Sequence, residues 1–200
     1  MDAAATLCEA LWRGGAVTVS PEPVTLKSGR VSHVYVSLRH FACDADNLAL
    51  LGHVFGQWLD GRRYALATAA SLLSPMLAGA FAARFGLPLA LFRADDSEKG
   101  LAGQVFGALA GEPLCLLDDV LTSGSTAIRA ARAFREHGAA SVALFVFVDK
   151  RPQGRKTDFP LPVAAPLTLG TLLRYGVETG RITGDAVALA GTELAFLEGE

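Results

Sequence analysis

Leu114-Cys115-Leu116-Leu117-Asp118-Asp119-Val120-Leu121-Thr122-Ser123-Gly124-Ser125-Thr126 is the stretch from which the rest of the chain can be read. Four apolar residues predict a short buried strand over 114–117, ending in two adjacent acids. A run of Thr, Ser and Gly follows, and then a helix predicted over 125–137 that stops at Gly138. The first N–H groups of a helix have no intrahelical acceptor and point outward, so they bind phosphate readily. Gly124 allows close backbone approach, and the hydroxyls of Thr122, Ser123, Ser125 and Thr126 add donors. Two carboxylates at the C-terminal end of a strand can accept hydrogen bonds from a sugar diol, and ligands of open α/β sheets bind at this edge. The plainer alternative is a strand–turn–helix with polar caps. The pattern is not a P-loop, because no Gly-Lys-Ser/Thr follows the strand, and it is not GxGxxG.

Outward from this stretch, helices and strands alternate between residues 44 and 148. A helix is expected from Asp44, its N-cap, to about Leu59. A strand near Tyr64–Thr68, a helix from Pro75 to Phe85 closed by Gly86, and a strand over Leu87–Phe92 follow. Residues 94–104, ADDSEKGLAGQ, predict a polar loop, and Ser141–Val148, SVALFVFV, is the strongest buried strand. This alternation predicts a parallel α/β sheet. Ahead of it, a helix over residues 3–13 stops at Gly14-Gly15. Val17–Leu26 and Val31–Leu38 then predict an antiparallel hairpin around Lys27-Ser28-Gly29-Arg30. A short helix is expected near Leu169–Tyr175.

Composition bounds the possibilities. The 200 residues suit one domain with small appendages, and 51% hydrophobic against 19% charged residues describes a chain with a core. A net charge of −2 gives no general footprint for nucleic acid. Cys8, Cys43 and Cys115 are odd in number, far apart and outside any metal-binding spacing, so no metal site is expected and a reduced cytoplasmic setting is the simplest reading. The N-terminus, with an acid at position 2 and no long apolar run, does not read as a signal peptide. Ala69–Phe92 is apolar but punctuated by Ser71, Ser74, Pro75, Gly79, Arg84, Gly86 and Pro88, so it reads as a buried helix and a strand, with no membrane partner expected.

LLDDVLTSGST closely resembles the phosphoribosyl-pyrophosphate signature of type I phosphoribosyltransferases. A second segment, from Val24-Thr25-Leu26-Lys27-Ser28-Gly29-Arg30 through Tyr35 to Arg39, resembles the N-terminal signature of orotate phosphoribosyltransferases. The resemblance covers roughly Ala10 to Tyr175. It implies a central parallel sheet flanked by helices, with a small N-terminal hood. Residues 1–43 would form the N-terminal helix and hood hairpin, 44–177 the phosphoribosyltransferase core, and 178–200 a C-terminal extension of unknown role.

The resemblance also implies roles. Asp118 and Asp119 would hold the ribose, and Thr122, Ser123, Gly124, Ser125 and Thr126 the 5′-phosphate. Arg93 would reach the pyrophosphate and Lys27 the base or pyrophosphate. Thr122 and Lys150 would engage the base carboxylate, while Val34 and Tyr35 would line the base pocket. Mg²⁺, phosphoribosyl pyrophosphate and a nucleobase, orotate foremost, would be the cofactor and substrates, and a homodimer the assembly.

Several positions depart from the family pattern. Ala94 stands where a lysine usually follows Arg93. In the loop that closes over pyrophosphate, Ser97 replaces a lysine and Lys99 a histidine, leaving Lys99 as the one cation of residues 94–104. Lys99 would then be the catalytic loop cation, flanked by Asp95, Asp96 and Glu98. The loop near Ala70 to Ser74, which often carries a lysine or a glycine-rich turn, reads Ala-Ser-Leu-Leu-Ser. Lys150-Arg151 follows Asp149 where Asp-Arg is usual, Ser37 replaces an acid and His33 a proline. Three functions therefore stand side by side: transfer to orotate, transfer to another base, and non-catalytic sensing of phosphoribosyl pyrophosphate or a nucleotide.

Overall fold

The computed structural model describes residues 2–26, 29–69, 71–93, 105–107, 109, 111, 113–155 and 157–199. The expectations for Lys27, Ala94, Ser97 and Lys99 lie outside the described residues.

Helix α1 (Ala3–Arg13) starts at Asp2, whose carboxylate accepts from the Ala4 N–H, and turns at Gly14 into β1 (Val17–Thr25). β2 (Val31–Val36) pairs antiparallel with β1 and completes the hairpin. Helix α2 (Ala45–Leu59) is capped by Asp44, which accepts from the N–H groups of Asp46 and Asn47. The core then runs β3 (Ala65–Thr68), α3 (Ser74–Phe85), β4 (Leu89–Phe92), β5 (Val105–Phe106), β6 (Leu114–Leu121), α4 (Ser125–Glu136) and β7 (Val142–Asp149). It ends with β8 (Val163–Ala164), β9 (Leu167–Thr168), α5 (Leu169–Glu178) and α6 (Ala186–Glu198).

The main sheet has the order β5-β4-β3-β6-β7-β8, with β9 also pairing β7. All these pairings are parallel except β4 with β5. Alternate strand residues feed two cores, as the two-residue period of a strand requires. Cys115, Leu117, Phe145 and Phe147 face the helices α1, α2, α3 and α5. Leu114, Leu116, Leu144 and Val146 face the small alanines of α4 and Phe134. The first core is aromatic: Phe55 packs on Phe81 at 5.3 Å and meets Phe145 edge-on at 5.1 Å. Such pairs add roughly 0.5–1.5 kcal/mol each beyond area burial.

β6 is longer than its apolar run predicts. The ladder with β7 continues through Asp118↔Val146, Val120↔Val148 and Leu121↔Asp149, so both acids sit on the strand rather than after it. The reason is the neighbour: β7 is apolar along most of its length and supplies backbone partners that extend pairing past the acids. Beyond α5, helix α6 folds back over β1 and β2, which gives the residues after 178 a definite place against the hairpin. None of the described helices is long and apolar enough to cross a membrane.

Candidate active site

The strand order contains one reversal. The chain leaves β3 toward β4 on one side and leaves β6 toward β7 on the other, so a crevice opens at the C-terminal ends of β3 and β6. The loop after β3 and the loop after β6 form its two walls. Ser74 joins them: its hydroxyl accepts from the Ala69 N–H at 2.7 Å and donates to the Leu117 carbonyl.

Asp118 lies at this junction, 7% exposed. Its Oδ1 accepts from the Ser71 hydroxyl at 2.6 Å and from the Asp119 N–H at 3.0 Å. Burial pushes its carboxyl up to about 7; the Ser71 hydrogen bond opposes that rise, and the Asp119 charge adds to it. Asp119 is half-buried and adjacent. Two carboxylates held side by side with one of them desolvated form a site that gains from a cation or from hydroxyl donors.

Beyond them, Thr122 and Ser123 are exposed and Gly124 is buried. Gly124 is the N-cap of α4 with φ 70°, in the left-handed region that favours glycine, and having no side chain it makes no cap bond; the Ser123 hydroxyl accepts from the Ser125 N–H at 3.5 Å. The Ser123 hydroxyl lies 3.3 Å from that of Ser125. A Cβ on residue 124 would come within 2.5 Å of the Phe159 ring and 3.0 Å of Leu121, so the backbone runs through a channel only glycine fits. The N–H groups at the head of a twelve-residue helix, ringed by hydroxyls, offer donors to a phosphate.

On the far side, Lys150 follows β7. Its N–H donates to Leu121 at 2.9 Å, and its ammonium points toward the Val34 carbonyl of β2 at 3.5 Å. Lys150 is 8% exposed. Burial lowers its pKa from 10.5, the Glu193 carboxylate of α6 opposes that, and Arg30 adds to it. Asp149 is engaged by Arg151, which donates from Nε at 3.0 Å and Nη2 at 2.9 Å.

The structure thus brings Asp118, Asp119, Thr122, Ser123, Gly124, Ser125 and Thr126 together on one edge, with Lys150 reaching between that edge and the hairpin. Arg93 follows β4 on the other flank, its guanidinium 5.9 Å from the Phe106 ring centre. Tyr35 is largely exposed on β2, whereas the Val34 side chain is buried in the core and offers the pocket only its backbone. Two site neighbours escaped the sequence reading as such. Ser71 carries no local signal. Glu193 did carry one: a lone charge inside the apolar run AVALAGTELAF calls for a buried cation.

A phosphoribosyl transferase domain matches residues 73–161, which span β6, the acid pair and the α4 N-terminus. The orotate phosphoribosyltransferase of Archaeoglobus fulgidus is 30% identical over 131 residues, 65% of this chain and 74% of its own. The chain belongs to the orotate phosphoribosyltransferase family. The crystal structure of the family member from Aeropyrum pernix superimposes with a TM-score of 0.63 at 28% identity, over 84% of this chain and 98% of that one. The UMP synthase of Leishmania donovani reaches a TM-score of 0.80 at 22% identity over 98% of this chain, which spans 43% of that longer protein. At that identity the likeness is one of fold, and it extends over nearly the whole chain.

Proposed function

We propose that the chain transfers the 5-phosphoribosyl group of phosphoribosyl pyrophosphate to orotate, giving orotidine 5′-monophosphate and pyrophosphate. The observation that carries this reading is the crevice between β3 and β6. It sets a carboxylate pair, with Asp118 buried, beside the N-terminal head of α4, with the Lys150 ammonium on the hairpin side.

In this reading the N–H groups and hydroxyls of residues 122–126 hold the 5′-phosphate, and Asp118 and Asp119 hold the ribose hydroxyls. Arg93 meets the pyrophosphate, Tyr35 and the β2 backbone cover the base, and Lys150 faces its carboxylate. The bond from C1 to the pyrophosphate oxygen breaks as a base nitrogen bonds to C1 and releases its proton. The protein contributes positioning and fixed charge where the leaving group becomes more negative. Mg²⁺ suits this donor set. Among the described residues no group of three or more His, Cys, Asp or Glu could hold a metal ion. The chain would give at most the two carboxylates and the substrate oxygens the remainder, which is how Mg²⁺ is commonly held beside phosphates. It would neutralise charge on the pyrophosphate. Homodimeric assembly and a cytoplasmic location belong to the same proposal, carried by the family resemblance.

One sequence feature favours a second reading, a non-catalytic sensor of phosphoribosyl pyrophosphate: by the resemblance, Ala94 and Ser97 stand where the family usually places lysines. Purified protein with Mg²⁺, phosphoribosyl pyrophosphate and a panel of orotate, uracil and purine bases separates the two. Formation of orotidine 5′-monophosphate is the expected result. Turnover of a different base refutes orotate as the acceptor, and tight binding of the sugar donor with no turnover of any base supports the sensor.

A further inference from the structure

Helix α6 lies on both strands of the hairpin and sends one carboxylate inward. Glu193 is 5% exposed. Its Oε2 and Oε1 accept from Arg30 Nη1 at 2.9 Å and Nη2 at 2.6 Å, and Oε2 also accepts from the Ser32 hydroxyl at 3.0 Å. The same Ser32 oxygen accepts from the Val34 N–H at 3.1 Å. Val34 in turn presents the carbonyl toward which Lys150 points. The Phe196 ring covers the Arg30 guanidinium at 4.0 Å. One carboxylate therefore ties together the last helix, the root of β2 and the basic residue at the base end of the crevice.

We propose that Glu193 is a positioning residue for the base pocket: it fixes the hairpin through Arg30 and Ser32 and holds Lys150 ready for the anionic group of the base. The identity of that anion rests on the orotate reading above. Stability alone is a poor account of the arrangement, because a buried ion pair is commonly replaceable by apolar side chains without loss. The charge balance points to a ligand instead. Glu193 pairs directly with Arg30 and acts on Lys150 through its charge, while Asp149, the acid next to Lys150, is engaged by Arg151. On β2, Ser32 is neutral and the His33 ring bonds to Ser20. Glu193 and Arg30 are thus the charged groups that set the state of Lys150, the first favouring its ammonium form and the second opposing it. An incoming carboxylate completes the balance.

Two substitutions remove the same ion pair yet act oppositely on Lys150. Glu193→Gln deletes the anion, so the Lys150 ammonium loses its proton at lower pH. The KM for orotate should then rise at least fivefold at neutral to alkaline pH, with the larger effect on KM than on kcat. Arg30→Gln deletes the opposing cation, so Lys150 should keep its proton to higher pH and the rise of KM with pH should move upward. Both variants should melt at lower temperature, so a merely structural role predicts shifts in the same direction. NMR titration of the Lys150 side chain, assigned with Lys150→Arg, reads the same ordering without substrate: lowest in Glu193→Gln, highest in Arg30→Gln. Equal titration of Lys150 in all three proteins overturns the inference whatever the activity. Correctly ordered titrations with no turnover of orotate refute the base assignment and leave the positioning role in place.

Discussion

Gly124→Ala tests the phosphate loop where the geometry is least forgiving. Residue 124 adopts φ 70°, and leaving glycine there costs about 1–2 kcal/mol. The added methyl would lie 2.5 Å from Phe159 Cζ and 3.0 Å from Leu121 Cδ1. Overpacking of this kind costs roughly 1–3 kcal/mol. The sum, about 2–5 kcal/mol, corresponds to a fall in melting temperature of roughly 4–20 °C for a chain of this size. Urea denaturation gives the stability change, and calorimetry with phosphoribosyl pyrophosphate gives the affinity, which should fall at least tenfold as the loop is displaced. Phe159→Leu, added to Gly124→Ala, should recover the steric share and leave the backbone share. Wild-type stability and affinity in Gly124→Ala would refute the placement of this backbone.

Asp118→Asn with Asp119→Asn should weaken binding of phosphoribosyl pyrophosphate at least tenfold by calorimetry, since hydrogen bonds to charged groups contribute roughly 1.5–3 kcal/mol each. Asp118→Asn alone should gain stability relative to wild type as pH rises from 4 to 8. Folding raises that carboxyl from 3.8 to about 7, so its destabilising charge is absent below 3.8 and complete above about 7; parallel urea melts across that range check this. Ser71→Ala removes the hydrogen bond that holds the Asp118 pKa down, so the titration of Asp118, followed by NMR, should move to higher pH. Lys99→Ala should lower kcat about tenfold, on the order of 1.4 kcal/mol, and Ser97→Lys should raise it; equal rates would show that catalysis does without a loop cation.

The alternating pattern between residues 44 and 148 made the parallel sheet legible, because each strand is a short apolar run closed by Gly, Pro or polar residues. The phosphate loop was legible too, since its chemistry is local: acids, hydroxyls, a glycine and a helix head adjacent in sequence. What escaped was set by partners distant in the chain. The length of β6 depends on β7, and β8 and β9 are two-residue strands too short to leave a periodic signal. Ser71 acquires its role only because β3 and β6 lie side by side, placing its hydroxyl on an acid 47 positions away. Pro88 trims β4 to Leu89–Phe92, although its carbonyl still accepts from the Leu66 N–H.

The Arg30–Glu193 contact joins residues 163 positions apart, so it cannot form until the strands of the parallel sheet between them have been synthesised. A ribosome releases the hairpin before α6, and until α6 follows, β1 and β2 have only part of their support. The segment between α5 and α6 is exposed apart from the buried Ile182, and it turns at Gly180 and Gly184. A single cut there would leave the parallel sheet covalently whole while freeing the helix that seats the hairpin. Proteolytic nicking at residues 179–185 is therefore a way to loosen one end of this molecule without touching its phosphate loop.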